Sequence, residues 1–196
     1  MELKDLFSAS DDGEALTPEE RIKRATLVCI EENGLDGTTV RVIAAKADLN
    51  PAAVNYYYRS KERLIEEALR SAWVYFMEDI EKITSEIGSP RDKVDLIARY
   101  IVEGACRNPK VLRAIIAEHA TLRAESSAYL HTIFGRLAAR GGFESDPALG
   151  SSLLLAFGLL LGFAANSVAE ITGLDLSRAE ARIELASRVS ASLFRS

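Results

Sequence analysis

Cysteine is scarce in this chain of 196 residues, which contains only Cys29 and Cys106. Neither has a second cysteine or a histidine at metal-ligand spacing, so the sequence predicts no metal site and no disulfide framework. The first residues contain no basic stretch followed by an apolar one, so we expect no secretory signal and a cytoplasmic location. Catalytic arrangements of Ser, His and Asp, paired carboxylates and glycine-rich phosphate loops are also missing. We therefore expect no enzyme and no cofactor.

Positive charge is also in short supply, because 24 Lys and Arg stand against 29 Asp and Glu for a formal net charge of −5. Residues 1–16 contain five acids and one lysine, and we interpret them as a flexible tail. Residues 17–64 contain eight basic and seven acidic side chains. That surplus of one is no basic patch, so any case for nucleic acid depends on motif geometry.

Proline occurs five times, and each proline follows a residue that caps helices. Ser, Thr, Asn and Asp accept a hydrogen bond from a backbone amide at a helix start, and proline suits the next position. Further caps are expected at Thr38, at Ser60 and at Ser177, where Glu180 completes a capping box. The five pairs are Thr17-Pro18, Asn50-Pro51, Ser89-Pro90, Asn108-Pro109 and Asp146-Pro147.

Glycines stand where these helices should end, and no stretch alternates between apolar and polar residues as a half-buried strand does. The sequence therefore predicts an all-α protein of about nine helices. The predicted helices cover residues 18–33, 38–46, 50–57, 60–87, 90–107, 109–124, 126–140, 146–172 and 177–194.

The second and third predicted helices are short and are joined by residues 48–50. Apolar residues recur at helical spacing in both, and these proportions are typical of a helix-turn-helix whose last helix reads DNA. A three-helix packing unit that binds no DNA has the same spacing. Spacing alone therefore leaves both interpretations open.

The residues of this segment resemble the DNA-binding domain of the tetracycline-repressor (TetR) family over about residues 17–66. The turn carries Asp48 where the family commonly has Gly, and Asp tolerates such turn geometry. The start of the third helix departs from the family pattern, so the resemblance does not define the base preference. Tyr57 stands where the family often has His. Tyr58 is expected in the core. The matching residues are Thr38-Thr39, Ile43-Ala44, Tyr56-Tyr57-Tyr58 and Ser60-Lys61-Glu62-x-Leu64.

The resemblance implies that the third helix enters the major groove and that a homodimer places two copies on a palindromic operator in double-stranded DNA. It implies phosphate contacts from Thr38 or Thr39 and from Lys61, whereas the third helix reads bases. Capping alone for Thr38, simple exposure for Arg41 and Lys61, and packing of Tyr56 against a neighbouring helix remain alternatives. The implied DNA-binding residues are Thr38, Thr39, Arg41, Asn50, Ala52, Ala53, Asn55, Tyr56, Tyr57 and Lys61.

Residues 147–169 contain no charged side chain. Their length fits a membrane span, and Gly158-x-x-x-Gly162 matches a membrane dimer motif. The flanks lack basic residues and an aromatic belt, so we favour a buried helix and expect no membrane partner. The resemblance implies that the last two helices pair with those of a second subunit. The expected interface residues are Leu153, Gly158, Leu161, Gly162, Ala165, Ile183, Ala186, Val189 and Leu193.

The resemblance also implies a ligand cavity among the central helices, which suits a small hydrophobic or amphipathic effector. Ordinary core packing is the alternative for each lining residue. The expected lining residues are Trp73, Phe76, Tyr100, Ile116, His119, Leu122, Phe134 and Phe157.

These inferences divide the chain into a tail (1–16), a helix-turn-helix domain (17–64) and a ligand-binding and dimerisation domain (65–196). The leading hypothesis is a dimeric, sequence-specific transcriptional regulator, a repressor that a small effector releases from a palindromic operator. The alternative is a helical small-molecule-binding protein that retains the helix-turn-helix only as a scaffold.

Overall fold

The computed structural model describes residues 16–85, 88–118, 132 and 147–193. Eight helices lie in these ranges, which contain no strand, and the predicted all-α class is confirmed. The helix predicted over 126–140, apart from residue 132, and the tail up to residue 15 lie outside the described residues. The helices are α1 (Pro18–Gly37), α2 (Val40–Lys46), α3 (Pro51–Tyr58), α4 (Lys61–Ser85), α5 (Pro90–Arg107), α6 (Pro109–Glu118), α7 (Pro147–Thr172) and α8 (Ala179–Leu193).

Three of the five proline-marked helix starts are capped as predicted. The Thr17 side chain accepts from the Glu20 amide and the Ser89 side chain from the Asp92 amide, and both form capping boxes. The hydrogen bonds from Thr17 also lower the pKa of Glu20. Asn50 Oδ1 accepts from the Ala53 amide at 2.7 Å. In these helices a cap can be inferred from neighbouring residues, because donor and acceptor are three positions apart.

Two predicted caps were wrong. Thr39, not Thr38, caps α2 and accepts from the Val42 amide. The Ser177 hydroxyl donates to Asp175 Oδ1 at 2.6 Å. It is therefore engaged with a residue before it, and α8 begins only at Ala179. In both cases the residue type is a good cap, but a competing partner lies nearby in sequence, the Gly34 carbonyl for Thr38 and the Asp175 carboxylate for Ser177.

The start of α6 differs from the predicted pattern in a more informative way. Asn108 has φ −128° and ψ 51°, and its side-chain amide donates to the Gly104 carbonyl at 3.4 Å. Glu31 of α1 accepts instead from the Lys110 and Val111 amides, each at 3.0 Å. The acceptor for the amides of α6 therefore comes from a helix about 80 residues earlier in the chain.

Three clusters of buried apolar side chains hold the helices together. The first joins α1, α2, α3 and the start of α4, and includes Ile22, Ile43 and Val54. The second joins α1, α4 and α6 around Leu27 and Leu69. The third joins the end of α4 to α5, α7 and α8. Burying one Leu or Ile side chain contributes about 1.5–3 kcal/mol, so each cluster contributes substantially to stability.

The glycines of α7 pack inside the subunit. A Cβ at Gly158 would lie 2.8 Å from Ile101 Cγ2 of α5, and one at Gly162 would lie 2.7 Å from Leu112 Cδ2 of α6. Between them, Leu161 is fully buried in the third cluster. The close helix approach expected from these small residues is present, but its partners belong to the same chain. No helix in the described ranges is long and apolar enough to cross a bilayer.

Helix α8 is fastened to α5 by a buried arginine. Arg182 is only 6% exposed, and its guanidinium binds both oxygens of Glu103 at 2.6 and 3.2 Å. It also donates to the carbonyls of Leu176 and Ser177. Burial alone would raise the pKa of Glu103, but the hydrogen bonds and charge of Arg182, together with the charge of Arg107, lower it.

Candidate nucleic-acid interface

The turn between α2 and α3 is held by an arginine from α1. Asp48 adopts a left-handed conformation, with φ 54°, which Asp reaches more easily than most residues. Arg21 Nη2 donates to the carbonyls of Ala47 and Asp48 at 2.6 and 3.2 Å and lies 3.4 Å from Asp48 Oδ2. The arginine thus ties both α2 and the turn to α1. Sequence reasoning missed this role, because nothing local links residues 26 positions apart.

The two sides of α3 have different surroundings. Val54 and Tyr58 point into the first cluster, as predicted for Tyr58. The Tyr58 hydroxyl donates to the Glu19 carbonyl at 3.3 Å, and burial raises its pKa. Tyr56 is 81% exposed, and its ring meets Tyr57 edge-on with centroids 5.5 Å apart. The exposed surface of α3 is called the reading face here, and it consists of Ala52, Asn55, Tyr56 and Tyr57.

The start of α2 lies beside this surface, and here one expected contact was wrong. Thr38 is fully buried, and its hydroxyl donates to the Gly34 carbonyl at 2.7 Å. It therefore has no access to a phosphate. Thr39, one residue later, is exposed at the N-terminus of α2, and Arg41 is exposed on its first turn. The helix start expected to hold a phosphate is accessible, with Thr39 as its side chain.

Three other residues expected to contact DNA either form hydrogen bonds within the subunit or are half-buried. The Asn50 carbonyl oxygen is used by its own helix cap, which leaves its amide as the group that faces outward. Lys61 Nζ donates to the Leu35 carbonyl at 3.2 Å and so ties the start of α4 to the end of α1. An ammonium has three donors, so one such bond does not exhaust it. Ala53 is half-buried.

The expected ligand pocket is described only in part. Trp73 and Phe76 have ring centroids 5.0 Å apart, and Phe76 and Tyr100 have centroids 5.5 Å apart. The Tyr100 hydroxyl donates to Asp79 Oδ2 at 2.5 Å, and burial together with that carboxylate raises its pKa. Phe157 packs against the third cluster nearby. The side chain of Ile116, together with His119, Leu122 and Phe134, lies outside the described residues.

Most of the expected interface residues of α7 and α8 pack inward, which corrects their assignment. Gly158, Leu161 and Gly162 face α5 and α6, and Ala186 and Leu193 lie in the third cluster. Their heptad-like spacing is that of a helix packed on its own subunit, and sequence cannot tell one partner helix from another. Ala165 and Val189 are half-buried, Ile183 is exposed, and the side chain of Leu153 is outside the described part.

Together, the two short helices, the turn held by Arg21 and the exposed reading face define a DNA-binding helix-turn-helix domain. Residues 22–68 match the family model for bacterial regulatory proteins of the tetR family. The resemblance of this segment to the TetR family, which its residues predicted, is therefore confirmed.

Two curated relatives place this domain among transcriptional regulators. The chain is 34% identical over 86 residues to the HTH-type transcriptional regulator BetI of Stenotrophomonas maltophilia. That match covers 43% of this chain and 42% of BetI, less than half of either protein. The chain is 21% identical over 180 residues to the HTH-type transcriptional repressor NicS of Pseudomonas putida, a match covering 84% of this chain and 85% of NicS.

Solved structures extend the similarity to the whole fold. AibR, in a crystal structure with isovaleryl coenzyme A and operator DNA, has a TM-score of 0.66 at 18% identity and covers 91% of this chain and 98% of its own. The fatty acid degradation regulator FadR of Bacillus halodurans also has a TM-score of 0.66 at 18% identity, covering 92% and 96%. Identities this low show a shared fold.

Proposed function

We propose that the protein is a dimeric, sequence-specific regulator that binds a palindromic operator, represses transcription there and is released by a small effector. The observation that carries the proposal is the reading face, whose exposed Asn55 and Tyr56 lie on a helix fixed by Arg21 and the first cluster. Asn reads adenine through two hydrogen bonds, and an exposed alanine can meet a thymine methyl.

Each residue of the proposed interface has a role that follows from its position. Thr39 and the amides of α2 would hold a phosphate, and Arg41 would reach a phosphate or a base edge. Asn55, Tyr56, Ala52 and the outward amide of Asn50 would read bases. Ala53 is half-buried, so only the exposed part of its methyl group would be available to contact a base. Tyr57 and Lys61 would contact the backbone and fix the register.

Selection of bound duplexes from a random library with the purified full chain tests this proposal. Enrichment of a palindrome whose half-sites lie about one helical turn apart is the expected result. Lys61→Ala should then weaken binding to all sequences and reduce the slope of log affinity against log salt by about 1. A library that yields only weak, sequence-independent binding would favour the alternative, a small-molecule-binding protein that keeps the helix-turn-helix as a scaffold.

The second copy would dock on the outer sides of α7 and α8. Leu160, Phe163 and Ile171 of α7 and Ile183 of α8 are large apolar side chains exposed there. Single exposed apolar residues are common, but four on the two helices that pack against α5 favour a protein contact. A two-fold contact of this kind would match a palindromic operator.

Substitutions at two adjacent leucines distinguish loss of the proposed dimer contact from loss of the fold. Leu160 is 49% exposed, whereas Leu161 is fully buried. Leu160→Glu should halve the mass measured by light scattering while the circular dichroism spectrum stays helical. Leu161→Glu should unfold the third cluster, since an unpaired buried charge is strongly destabilising. A Leu160→Glu variant that keeps the wild-type mass would place the contact elsewhere.

The effector would occupy the region beside Trp73, Phe76 and Tyr100, where aromatic rings and the Asp79 carboxylate come together. AibR, with the same fold, is described in complex with isovaleryl coenzyme A, which is consistent with control by a small amphipathic molecule. A screen of acyl thioesters and related amphipathic compounds should identify one that raises the melting temperature of the wild type. Phe76→Ala should abolish that shift.

A further inference from the structure

Two residues could cap the N-terminus of α6: Asn108, which precedes it in sequence, and Glu31, which lies far earlier in the chain. In the structure Glu31 is the cap. Glu31 of α1 occupies the Lys110 and Val111 amides, each at 3.0 Å, while Asn108 donates back to Gly104. A carboxylate is well placed at the positive end of a helix. α6 therefore begins on an acceptor that belongs to the DNA-binding domain.

Asn108 is chemically able to take over that cap. Asn50, in the same Asn-Pro pair at the start of α3, has φ −85° and ψ 154° and accepts from the amide three residues on. The equivalent amide for Asn108 is that of Val111, which Glu31 occupies. Asn108 has ψ 51°, whereas a residue before proline usually adopts the extended conformation of Asn50.

Conversion between the two caps requires rotation about the backbone bonds of Asn108, with the larger change in ψ and a smaller one in φ, which is −128° in Asn108 and −85° in Asn50. A change of the Asn108 ψ angle from 51° towards the 154° of Asn50 would swing α6 relative to α5. The swing would withdraw the Lys110 and Val111 amides from Glu31. At the same time Asn108 Oδ1 would come within reach of Val111, so α6 would not lose its cap when it leaves α1.

We propose that the Asn108–Pro109 junction is a two-position hinge, in which α6 is capped either by Glu31 of the DNA-binding domain or by Asn108. In the first position α6 is joined to α1; in the second it is released. The consequence for DNA rests on the proposed function, because release of α6 would remove one of the contacts that hold α1 and the reading face to the larger domain, the others being made through α4.

The end of α1 is well placed to pass on such a release. Glu32 binds Lys46 of α2 at 2.7 Å, and its carbonyl accepts from Lys110 Nζ at 2.9 Å. The Leu35 carbonyl accepts from Lys61 of α4. One turn of α1 therefore contacts α2, α4 and α6, and two of these three helices carry proposed DNA contacts.

Thermal unfolding of four full-length variants tests the hinge without DNA or effector. Asn108→Ala should change the melting temperature little when Glu31 is present. In the Glu31→Ala background the same change should lower it by about 2–4 °C, since the last cap is then lost. Asn108→Asp in that background should keep the melting temperature of Glu31→Ala, because Asp caps helices but has no side-chain amide to donate to Gly104, and the backbone amide of residue 108 donates to Gly104 in every variant.

The controls and the contrary outcomes are equally specific. Glu32→Ala removes a neighbouring carboxylate that does not touch α6, so Asn108→Ala should have its small wild-type effect in that background. An Asn108→Ala effect of the same size with and without Glu31 would overturn the hinge. So would equal losses from Asn108→Asp and Asn108→Ala in the Glu31→Ala background, because the bond to Gly104 would then explain both.

Amide hydrogen exchange provides a second readout that does not require the double variants to fold. In Glu31→Ala the Val111 amide should stay protected, now by Asn108, and rapid exchange at Val111 would contradict the hinge. On the selected operator, Glu31→Ala should bind about fivefold or more weakly than wild type. An unchanged affinity would refute the coupling to DNA. Failure to select any operator would refute the proposed function, while the unfolding experiment would still decide the hinge.

Discussion

The same dipeptide, Asn-Pro, begins α3 in the DNA-binding domain and α6 in the larger domain, with different results. Asn50 caps its own helix. The Asn108 side chain instead donates to the Gly104 carbonyl of α5, and Glu31 caps α6. The acceptor for α3 lies three residues away, whereas the acceptor for α6 comes from a helix about 80 residues earlier in the chain. The same local signal is therefore sufficient at the first junction and is overridden by a tertiary contact at the second.

The largest expected effect tests the distant contacts directly. Arg182→Ala should lower the free energy of unfolding by about 3 kcal/mol, because it removes the bonds to both Glu103 oxygens and to the Leu176 and Ser177 carbonyls, while Arg107 still pairs with Glu103. Arg178→Ala removes an arginine that is largely exposed and should change stability by less than about 0.5 kcal/mol. Urea unfolding of both variants gives the comparison, and equal effects would mean that the buried pair contributes nothing special.

Glycine substitutions sharpen the comparison with a smaller effect. Gly158→Ala should destabilise the protein by about 1–3 kcal/mol, because its new methyl group would meet Ile101 at 2.8 Å. Gly104→Ala, in α5, meets nothing within 4 Å and should stabilise the helix by about 0.5–1 kcal/mol. Changes of opposite sign in the free energy of unfolding, measured by chemical denaturation, would support packing of α7 against α5. Destabilisation by both changes would contradict it.

The smallest effect concerns two adjacent threonines at α2. Thr39→Ala removes a cap and should cost about 0.5–2 kcal/mol, and it should also weaken operator binding. Thr38→Val keeps the shape of a buried side chain but removes its hydroxyl, so it should affect stability and leave the affinity of the folded protein unchanged. Affinity loss from Thr38→Val alone would restore Thr38 as a DNA contact.

The acid side of the stability profile depends on Glu103. Its pKa is lowered in the folded protein, so its ion pair contributes fully above the unfolded pKa and is lost as pH falls through the folded value. Glu103→Gln should therefore destabilise the protein at pH 7 and progressively less below about pH 4.5. Unfolding midpoints at several pH values measure this, and a constant difference would point to packing rather than charge.

Much of the helical map could be predicted from sequence, and the failures have a common cause. Thr17, Ser89 and Asn50 cap as expected because a cap needs only residues three positions apart. The spacing of Gly158 and Gly162 correctly indicated close helix packing, but a stripe of small residues does not specify which helix covers it. Contacts with α5 and α6, which the local sequence does not encode, determine that these glycines face the core of the subunit and not a partner subunit.

The candidate site shows the same division. The reading face follows from the period of α3, because Val54 and Tyr58 must face inward and leave Asn55 and Tyr56 outside. The clamp from Arg21 to the turn could not be found, because it depends on how α1 crosses α2. The cap of α2 was predicted one residue too early, at Thr38 instead of Thr39. Thr38 is buried and Thr39 is exposed, so this shift decides which threonine can contact DNA.

The most direct test of the account compares two affinities for each of two proteins. Wild type and Asn55→Ala are titrated with the selected operator and with a shuffled duplex of the same length and composition at one salt concentration. The account predicts that Asn55→Ala weakens operator binding by about 1–3 kcal/mol and leaves binding to the shuffled duplex unchanged. Equal losses on both duplexes would show that the exposed side of α3 does not read sequence.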